Sequence, residues 1–336
     1  MKIDEISKNS NTFVIAEVAG AHEGSIEKIK DMIRIASDSK VDAIKFQIFK
    51  TDKLVVKNHP KYDSFKKKEF SKKEWLNLIG YAKKLNLAVM ADIFDRESLI
   101  ISEEGGVDGY KVHSTILSDI SLIEEIAETK KPILISVGGS TYSEIKEVFK
   151  IFKKAKNKIF FMIGYQSFPT KIEDSNLNLI SYFKKKFNCF VGYADHCDAN
   201  KEIAMILPLL AIAKGARLIE KHFTVDRSLK GTDYFSALNP DELKEMVRKI
   251  RIVEKTFGRS LLDGFSQDEE EYRVKFKKYI VASRKIKKGE KLSMNLLEFK
   301  RTTKSGILPK EAKIIINKTV NRDIKEDETI KLEYIQ

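Results

Sequence analysis

Cysteine occurs only twice in the 336 residues, at Cys189 and Cys197, so neither a disulfide framework nor a cysteine-rich metal site is available. A reducing, cytoplasmic setting is therefore expected. No apolar run approaches the length that spans a bilayer. The N-terminal MKIDEISKNSNTF lacks the apolar stretch of a secretory signal. Glycine fingerprints for nucleotides are missing too: Gly20 and Gly24 do not make GxGxxG, and no GxxxxGK precedes a Ser or Thr. The single tryptophan, Trp75, stands beside Leu76 and Ile79 on a predicted helix, which marks it for packing. Tyrosines and phenylalanines are scattered, with no stacking surface for bases.

Charge is plentiful: 62 basic against 49 acidic side chains give a formal +13. The lysines recur as short helix-face groups such as Lys66–Lys68 and Lys184–Lys186. With no zinc-finger spacing and no basic region joined to heptads, a nucleic-acid partner is not expected. The surplus favours an anionic substrate in general terms.

The first 260 residues alternate two patterns. Short apolar strands are predicted at Phe13–Glu17, Ala43–Phe49, Leu87–Asp92, Gly109–Val112, Ile133–Val137, Ile159–Gly164, Phe190–Ala194 and Arg217–His222. Several are apolar on consecutive residues, as parallel strands covered on both faces are. Helical stretches separate them; in the first, Ile26, Ile29, Ile33 and Ala36 make a 3.6-residue stripe. Ser25 and Ser143 are candidate caps, and Asn239-Pro240 a helix start. Eight such units predict an α/β fold, a closed (β/α)8 TIM barrel over residues 1–262. The insertion Thr51–Ser71, containing HPKYDSFKKKEFS, follows strand two and is a candidate lid. A charge-rich connector covers 263–278, and a small β-rich domain covers 279–336. Residues 275–336 hold 17 Lys and Arg against 8 Asp and Glu.

Candidate site residues fall at strand ends. His196 and His222 follow strands seven and eight, where two imidazoles can ligate Mn²⁺ or Mg²⁺ or simply satisfy local hydrogen bonds. Asp195 is a candidate to orient His196. Lys45 and Gln47 share one face of AIKFQIF, and Lys111 repeats the pattern in GYKVHS. A lysine in an apolar strand is costly unless it meets an anion, so both predict carboxylate or phosphate binding; a Schiff-base amine is the alternative. Glu17 and Asp92 end strands one and three. Ser114 and Ser136 follow strands four and five, and SVGGS at 136–140 offers glycine amides. Gln166 and Phe168 in YQSFPT line the same mouth, and Asp233 lies in the loop after strand eight.

The chain resembles the sialic acid synthase family through IAEVAGAHEGS, AIKFQIFK, GYKVHS, FPTKIEDSNL, VGYADH, IEKHFTVDRSLKGTDYFSALNPDEL, SRKIKKGEKLS and FKRTTKSG. That resemblance covers nearly the whole chain. It implies a TIM barrel followed by a C-terminal antifreeze-like (SAF) domain. It further implies condensation of phosphoenolpyruvate with an N-acylated hexosamine, or a related aldose, to a nine-carbon 2-keto-3-deoxy acid. On matching positions it assigns a divalent metal ion to His196 and His222. Lys45, Lys111, Ser114 and Ser136 then contact phosphoenolpyruvate, and Glu17, Gln47 and Asp233 lie near the sugar. Arg301 reaches the active site of the other subunit in a domain-swapped homodimer.

The chain departs from the family pattern at several positions, among them Ile116 for an acidic residue, Asp92 and Ala194 for small hydroxyl residues, and Gln166 for asparagine. The departures leave the fold intact and bear on the substrate. A divergent metal-dependent aldolase of a keto-deoxy sugar and a catalytically weak carbohydrate-binding homologue are the alternative readings.

Overall fold

The computed structural model describes residues 3, 6, 11–258 and 264–336, which divide into two compact units, Met1–Phe257 and Gly258–Gln336. The predicted boundary at 262/263 lies outside the described residues. In the first unit, β1 (Phe13–Glu17), β2 (Ala43–Ile48), β3 (Ala88–Ile93), β4 (Gly109–Val112), β5 (Ile133–Ser136), β6 (Ile159–Ile163), β7 (Phe190–Asp195) and β8 (Leu218–His222) form a closed parallel barrel in sequence order. The ring closes through β1 and β8, with Ile15 opposite Glu220 and Glu17 opposite His222.

Strand alternation builds two cores. Phe13, Ile15, Ala43, Met90, Leu134, Phe160, Met162, Ala194 and Leu218 fill the barrel interior with Ile3 and Ile6. Their neighbours Val14, Ala16, Ile44, Phe46, Val89, Ile135, Phe161, Val191 and Ile219 pack outward on the helices. That double burial is why the strands are apolar on consecutive residues. Each step of two toward the strand C-terminus then trades an apolar residue for a polar one: Ile15 to Glu17, Ala43 to Lys45, Met90 to Asp92, Leu218 to Glu220 and His222. The barrel mouth is polar because the interior pattern changes there.

The covering helices are α1 (Ile26–Asp38), α2 (Thr51–Leu54), α3 (Tyr62–Lys68), α4 (Lys72–Lys84), α5 (Arg96–Gly105), α6 (Ile120–Glu128), α7 (Tyr142–Lys154), α8 (Asn178–Phe187), α9 (Ile203–Ala213) and α10 (Pro240–Thr256). Ser25 caps α1 by accepting from the Lys28 N–H. Thr141 rather than Ser143 caps α7, because Glu144 three residues on completes a capping box with it. Trp75 is buried against Phe46 and Phe70, with ring centroids 5.7 and 5.2 Å away. The Thr51–Ser71 insertion is not an open loop, since α2 and α3 occupy it.

In the second unit, β9 (Lys278–Ala282) pairs antiparallel with β10 (Leu297–Arg301). Ile280, Ala282, Ile286, Leu292, Leu296, Ile307, Ile315, Val320, Ile324 and Ile330 make its core. The predicted connector contains a helix, α11 (Gln267–Phe276), and its last residue starts β9. A Ser266–Glu269 capping box, acids in the first turn and bases in the last favour α11. No residue of α11 is buried, so no apolar stripe announces it.

Candidate active site

Five ionisable side chains meet inside the barrel mouth. Lys45 Nζ lies 2.5 Å from Glu17 Oε2, 2.6 Å from Asp92 Oδ2 and 3.2 Å from Glu220 Oε2, and is only 1% exposed. Lys111 Nζ donates to Glu220 Oε1 at 2.5 Å. Burial alone would strip the proton from Lys45, yet Asp92, Glu17 and Glu220 hold it charged, well above the ordinary lysine range. Burial pushes Glu220 up as well, but Lys111 and Lys45 outweigh it and hold the carboxylate well below its usual range. Glu17 goes the other way. Burial raises it to about 8, against the pull of Lys45 and with the push of Asp92 and Glu220. At neutral pH a charged Lys45 and an ionised Glu220 then stand beside a neutral Glu17. Asp92 Oδ1 is buried with no hydrogen-bond partner. The negative charge that Asp92 brings is met by Lys45.

His196 and His222 stand side by side at the same mouth, ring centroids 5.3 Å apart. Phe168 covers both, at 4.6 Å from His196 and 6.1 Å from His222. Burial lowers both imidazoles to about 3, which leaves them neutral with nitrogen lone pairs available. His196 Nδ1 lies 3.0 Å from the Tyr165 carbonyl, so Nδ1 carries the proton and Nε2 the lone pair. His222 Nδ1 lies 3.9 Å from Asp233 Oδ2. Among the described residues no group of three or more His, Cys, Asp or Glu is arranged to hold an ion. Two neutral imidazoles fit a divalent ion that completes its shell with water or substrate oxygens.

Asp195 does not touch the His196 ring. Successive strand residues face opposite sides, so Asp195 turns outward. It accepts from Lys221 Nζ at 2.7 Å and from the Cys197 N–H at 3.0 Å, locking the turn that carries His196. Burial, joined by Asp195, pushes the Cys197 thiol up to about 12, so this cysteine is inert.

The remaining predicted residues are spread around the rim. Gln47 and Asp233 share the wall of a cavity of about 480 Å³ with Lys61, Lys68, Phe65 and Thr232. Burial raises the Asp233 carboxyl. Ser136 faces inward on β5, and Ser114 opens the short turn after β4. A Cβ at Gly138 would fall 2.1 Å from the Gly164 carbonyl oxygen and 3.0 Å from Gln166 Cγ, so Gln166 lies against the glycine loop after β5. Ile116 is buried in the outer apolar core, and Ala194 in the inner one. Arg301 belongs to the second unit, exposed on β10 with its guanidinium 5.6 Å from the Phe276 ring centre. Sequence reading passed over Glu220, the group that joins Lys45 to Lys111. Its spacing of two from Leu218 and His222 is the signal that places it inside.

A pH dependence follows. His22, His196 and His222 are buried and lowered to about 4, 3 and 3 from 6.5, burial being the leading cause in each. The unfolded chain takes up protons there that the fold refuses, so stability falls as pH drops below 6.5. Each histidine adds up to about 1.4 kcal/mol per pH unit. Glu17 has the opposite sign: the fold keeps a proton that the unfolded chain has released, so its contribution falls as pH rises from 4.5 to about 8. Melting curves of the wild type should fall on both sides of a maximum near neutrality. Glu17→Gln removes a slope that acts from pH 4.5 to about 8, so it should flatten the decline above neutrality and steepen the acid limb; an unchanged alkaline limb contradicts the assignment.

Comparison with known proteins gives this geometry a context. Residues 32–261 match the model of the NeuB family and residues 277–335 that of the SAF domain. The chain is 30% identical to the N,N'-diacetyllegionaminic acid synthase of Campylobacter jejuni, over 95% of this chain and 99% of that one. It is also 30% identical to the human N-acetylneuraminate-9-phosphate synthase, over 96% and 92%. Among solved structures, the N-acetylneuraminic acid synthetase of Leptospira borgpetersenii is similar at 35% identity and a TM-score of 0.73, covering 79% of this chain and 92% of that one. The barrel with its polar mouth and the SAF unit that follows it place this chain in the NeuB family, the sialic acid synthase-type enzymes.

Proposed function

We propose that this protein condenses phosphoenolpyruvate with the open-chain aldehyde of an N-acylated hexosamine, or a related aldose. The product is a nonulosonic 2-keto-3-deoxy acid, and phosphate is released. The observation that carries the reading is the convergence of Glu17, Lys45, Lys111, His196 and His222 on one barrel mouth in a chain of this family. Carbon 3 of phosphoenolpyruvate bonds to the aldehyde carbon, whose oxygen takes a proton. Water adds to carbon 2, and phosphate leaves to give the ketone.

Lys45 and Lys111, positioned by Asp92 and Glu220, face the carboxylate and phosphate of the donor, with Ser114 and Ser136. Glu17, neutral near pH 7, holds the proton that the new alkoxide takes. Gln47, Gln166, Phe168 and Asp233 orient the sugar. His196 and His222 would hold a divalent ion, Mn²⁺ or Mg²⁺, which when bound supplies Lewis-acid polarisation of the aldehyde. In a homodimer with exchanged SAF domains, Arg301 of each chain would meet the N-acyl group in the other chain's barrel. The setting fits a cytoplasmic enzyme, and among the described residues no helix is long and apolar enough to cross a membrane.

The charged state of Lys45 favours this reading over a Schiff-base aldolase, because an ammonium held among the Asp92, Glu17 and Glu220 carboxyl groups is not a nucleophile. Phosphate release should require phosphoenolpyruvate, an N-acyl hexosamine and a divalent ion together. Pyruvate formed or consumed without phosphate would replace the reading with an aldolase, and sugar binding without turnover would replace it with a binding module.

A further inference from the structure

The pairing of β7 with β8 stops one residue short of the two histidines. Its last register sets Asp195 opposite Lys221; His196 follows the end of β7, whereas His222 is the last residue of β8. Sheet pairing therefore fixes His222, which also lies opposite Glu17 of β1, and leaves His196 to other contacts. The Tyr165 carbonyl, 3.0 Å from the ring, and the Thr170 N–H, 2.8 Å from the backbone carbonyl, both come from the loop after β6. They orient His196 without referring it to β8.

The contact that does so comes from the loop after β8. That loop makes one turn of 3₁₀ helix, Tyr234–Ser236, and then runs back beside the strand end, bridging Phe223 with Leu238. Leu238 donates its N–H to the His222 carbonyl at 2.9 Å. Two residues earlier, Ser236 Oγ donates to the His196 carbonyl at 2.6 Å, from a position wholly inaccessible to water. The Phe235 carbonyl between them accepts from the Ala199 N–H at 2.7 Å. One short stretch of backbone thus holds both histidine carbonyls. It carries Asp233 as well: the Ser236 N–H closes the turn on the Asp233 carbonyl at 3.0 Å, and Asp233 Oδ2 stands 3.9 Å from His222 Nδ1.

We infer that Ser236 is a positioning residue, whose hydroxyl ties His196 to the loop carrying Asp233 and so sets the separation of the two imidazoles. That the pair serves a divalent ion rests on the proposed function. A hydroxyl-to-carbonyl bond is modest in energy, so its weight here lies in geometry. Two nitrogens grip one ion only where both meet it, and a ligand left to drift loses affinity through the group that should have oriented it.

The test sets Ser236→Ala beside Ser102→Ala in the full-length protein. Both serines are wholly buried and each donates to a carbonyl, Ser102 to that of Ser98 at 2.7 Å on α5. In Ser236→Ala the His196 carbonyl keeps the Thr170 N–H, so the variant should fold. Each substitution should lower the melting temperature by about 2–4 °C, the shift of one lost hydrogen bond in a domain of this size. Only Ser236→Ala should weaken Mn²⁺ binding, by about tenfold or more in calorimetry. Only Ser236→Ala should speed amide exchange at Ala199 in the metal-free protein, by about tenfold. Mn²⁺ affinity unmoved by Ser236→Ala, an equal loss in Ser102→Ala, or unchanged exchange at Ala199 overturns the inference. The two readings fail separately. A wild type that binds no Mn²⁺ would sink the metal part of the proposed function, while selective exchange at Ala199 would keep Ser236 as the group that places His196. Phosphate release and Mn²⁺ binding both unmoved by Ser236→Ala would do the reverse.

Discussion

Lys45→Met should cost about 3–5 kcal/mol of stability, the range found when one partner of a buried ion pair is removed. Lys45 is the cation that Glu17, Asp92 and Glu220 share, and all four groups are almost wholly inaccessible to water. Without it, Asp92 has no ion pair left among the described residues, and Glu220 keeps the bond from Lys111. Methionine fills the volume, so the loss reads out charge rather than packing. The sign of its pH dependence is fixed by the same logic. Carboxyl groups left without their cation take up protons more readily, so the variant should lose less relative to wild type at pH 5 than at pH 8. Adding Asp92→Ser to Lys45→Met should recover part of the loss, because it removes one of the stranded charges; the two substitutions are therefore non-additive. Urea denaturation at the two pH values measures all of this. A Lys45→Met variant within about 1 kcal/mol of wild type, below the range for a broken buried pair, contradicts the account of the cluster.

The sequence announced this cluster only in part, and the reason is physical. Lys45 is conspicuous because a lysine amid Ile44, Phe46 and Ile48 has no solvent to reach. Asp92 and Glu17 were legible as strand ends, and Ile116 as an apolar residue where the family pattern has an acid. Glu220 was not, because Glu-Lys-His reads as a polar terminus unless the period of two is carried through to the last residue. The same period sends Lys221 and Asp195 outward, where they pair at 2.7 Å, and corrects the role expected for Asp195. Barrel strands and their helices were readable since apolar content distinguishes them. Helices α2 and α3 were not, being too short to show an apolar stripe, and neither was α11, which a capping box and charge favour instead. The cavity that α3 helps to wall was invisible for a related reason: Lys61 and Lys68 look like part of a solvated basic run until the chain folds Lys68 under Thr232.

Replacing either histidine of the pair should separate activity from folding. His196→Ala and His222→Ala remove neutral, buried rings, so neither strands a charge, and each should cost about 1–3 kcal/mol through lost packing and, for His196, the lost bond to the Tyr165 carbonyl. If the pair holds a divalent ion, both variants should lose phosphate release by about 10³-fold or more, which is about 4 kcal/mol out of the roughly 8–23 kcal/mol that enzymatic rate enhancements span. Two further readouts tell a metal role from a structural one. Mn²⁺ at a hundred times its dissociation constant should stabilise the wild type by about 2.7 kcal/mol and leave both variants unmoved. Phe168→Ala, which uncovers the rings without removing a nitrogen, should keep the Mn²⁺ response and lose far less activity. Asp195→Asn should behave differently again, weakening the Lys221 pair behind the barrel and lowering stability while the ion still binds. A His196→Ala protein that still responds to Mn²⁺ would place the ion elsewhere and leave the two imbalanced halves of the mouth, lysines and imidazoles, as separate devices.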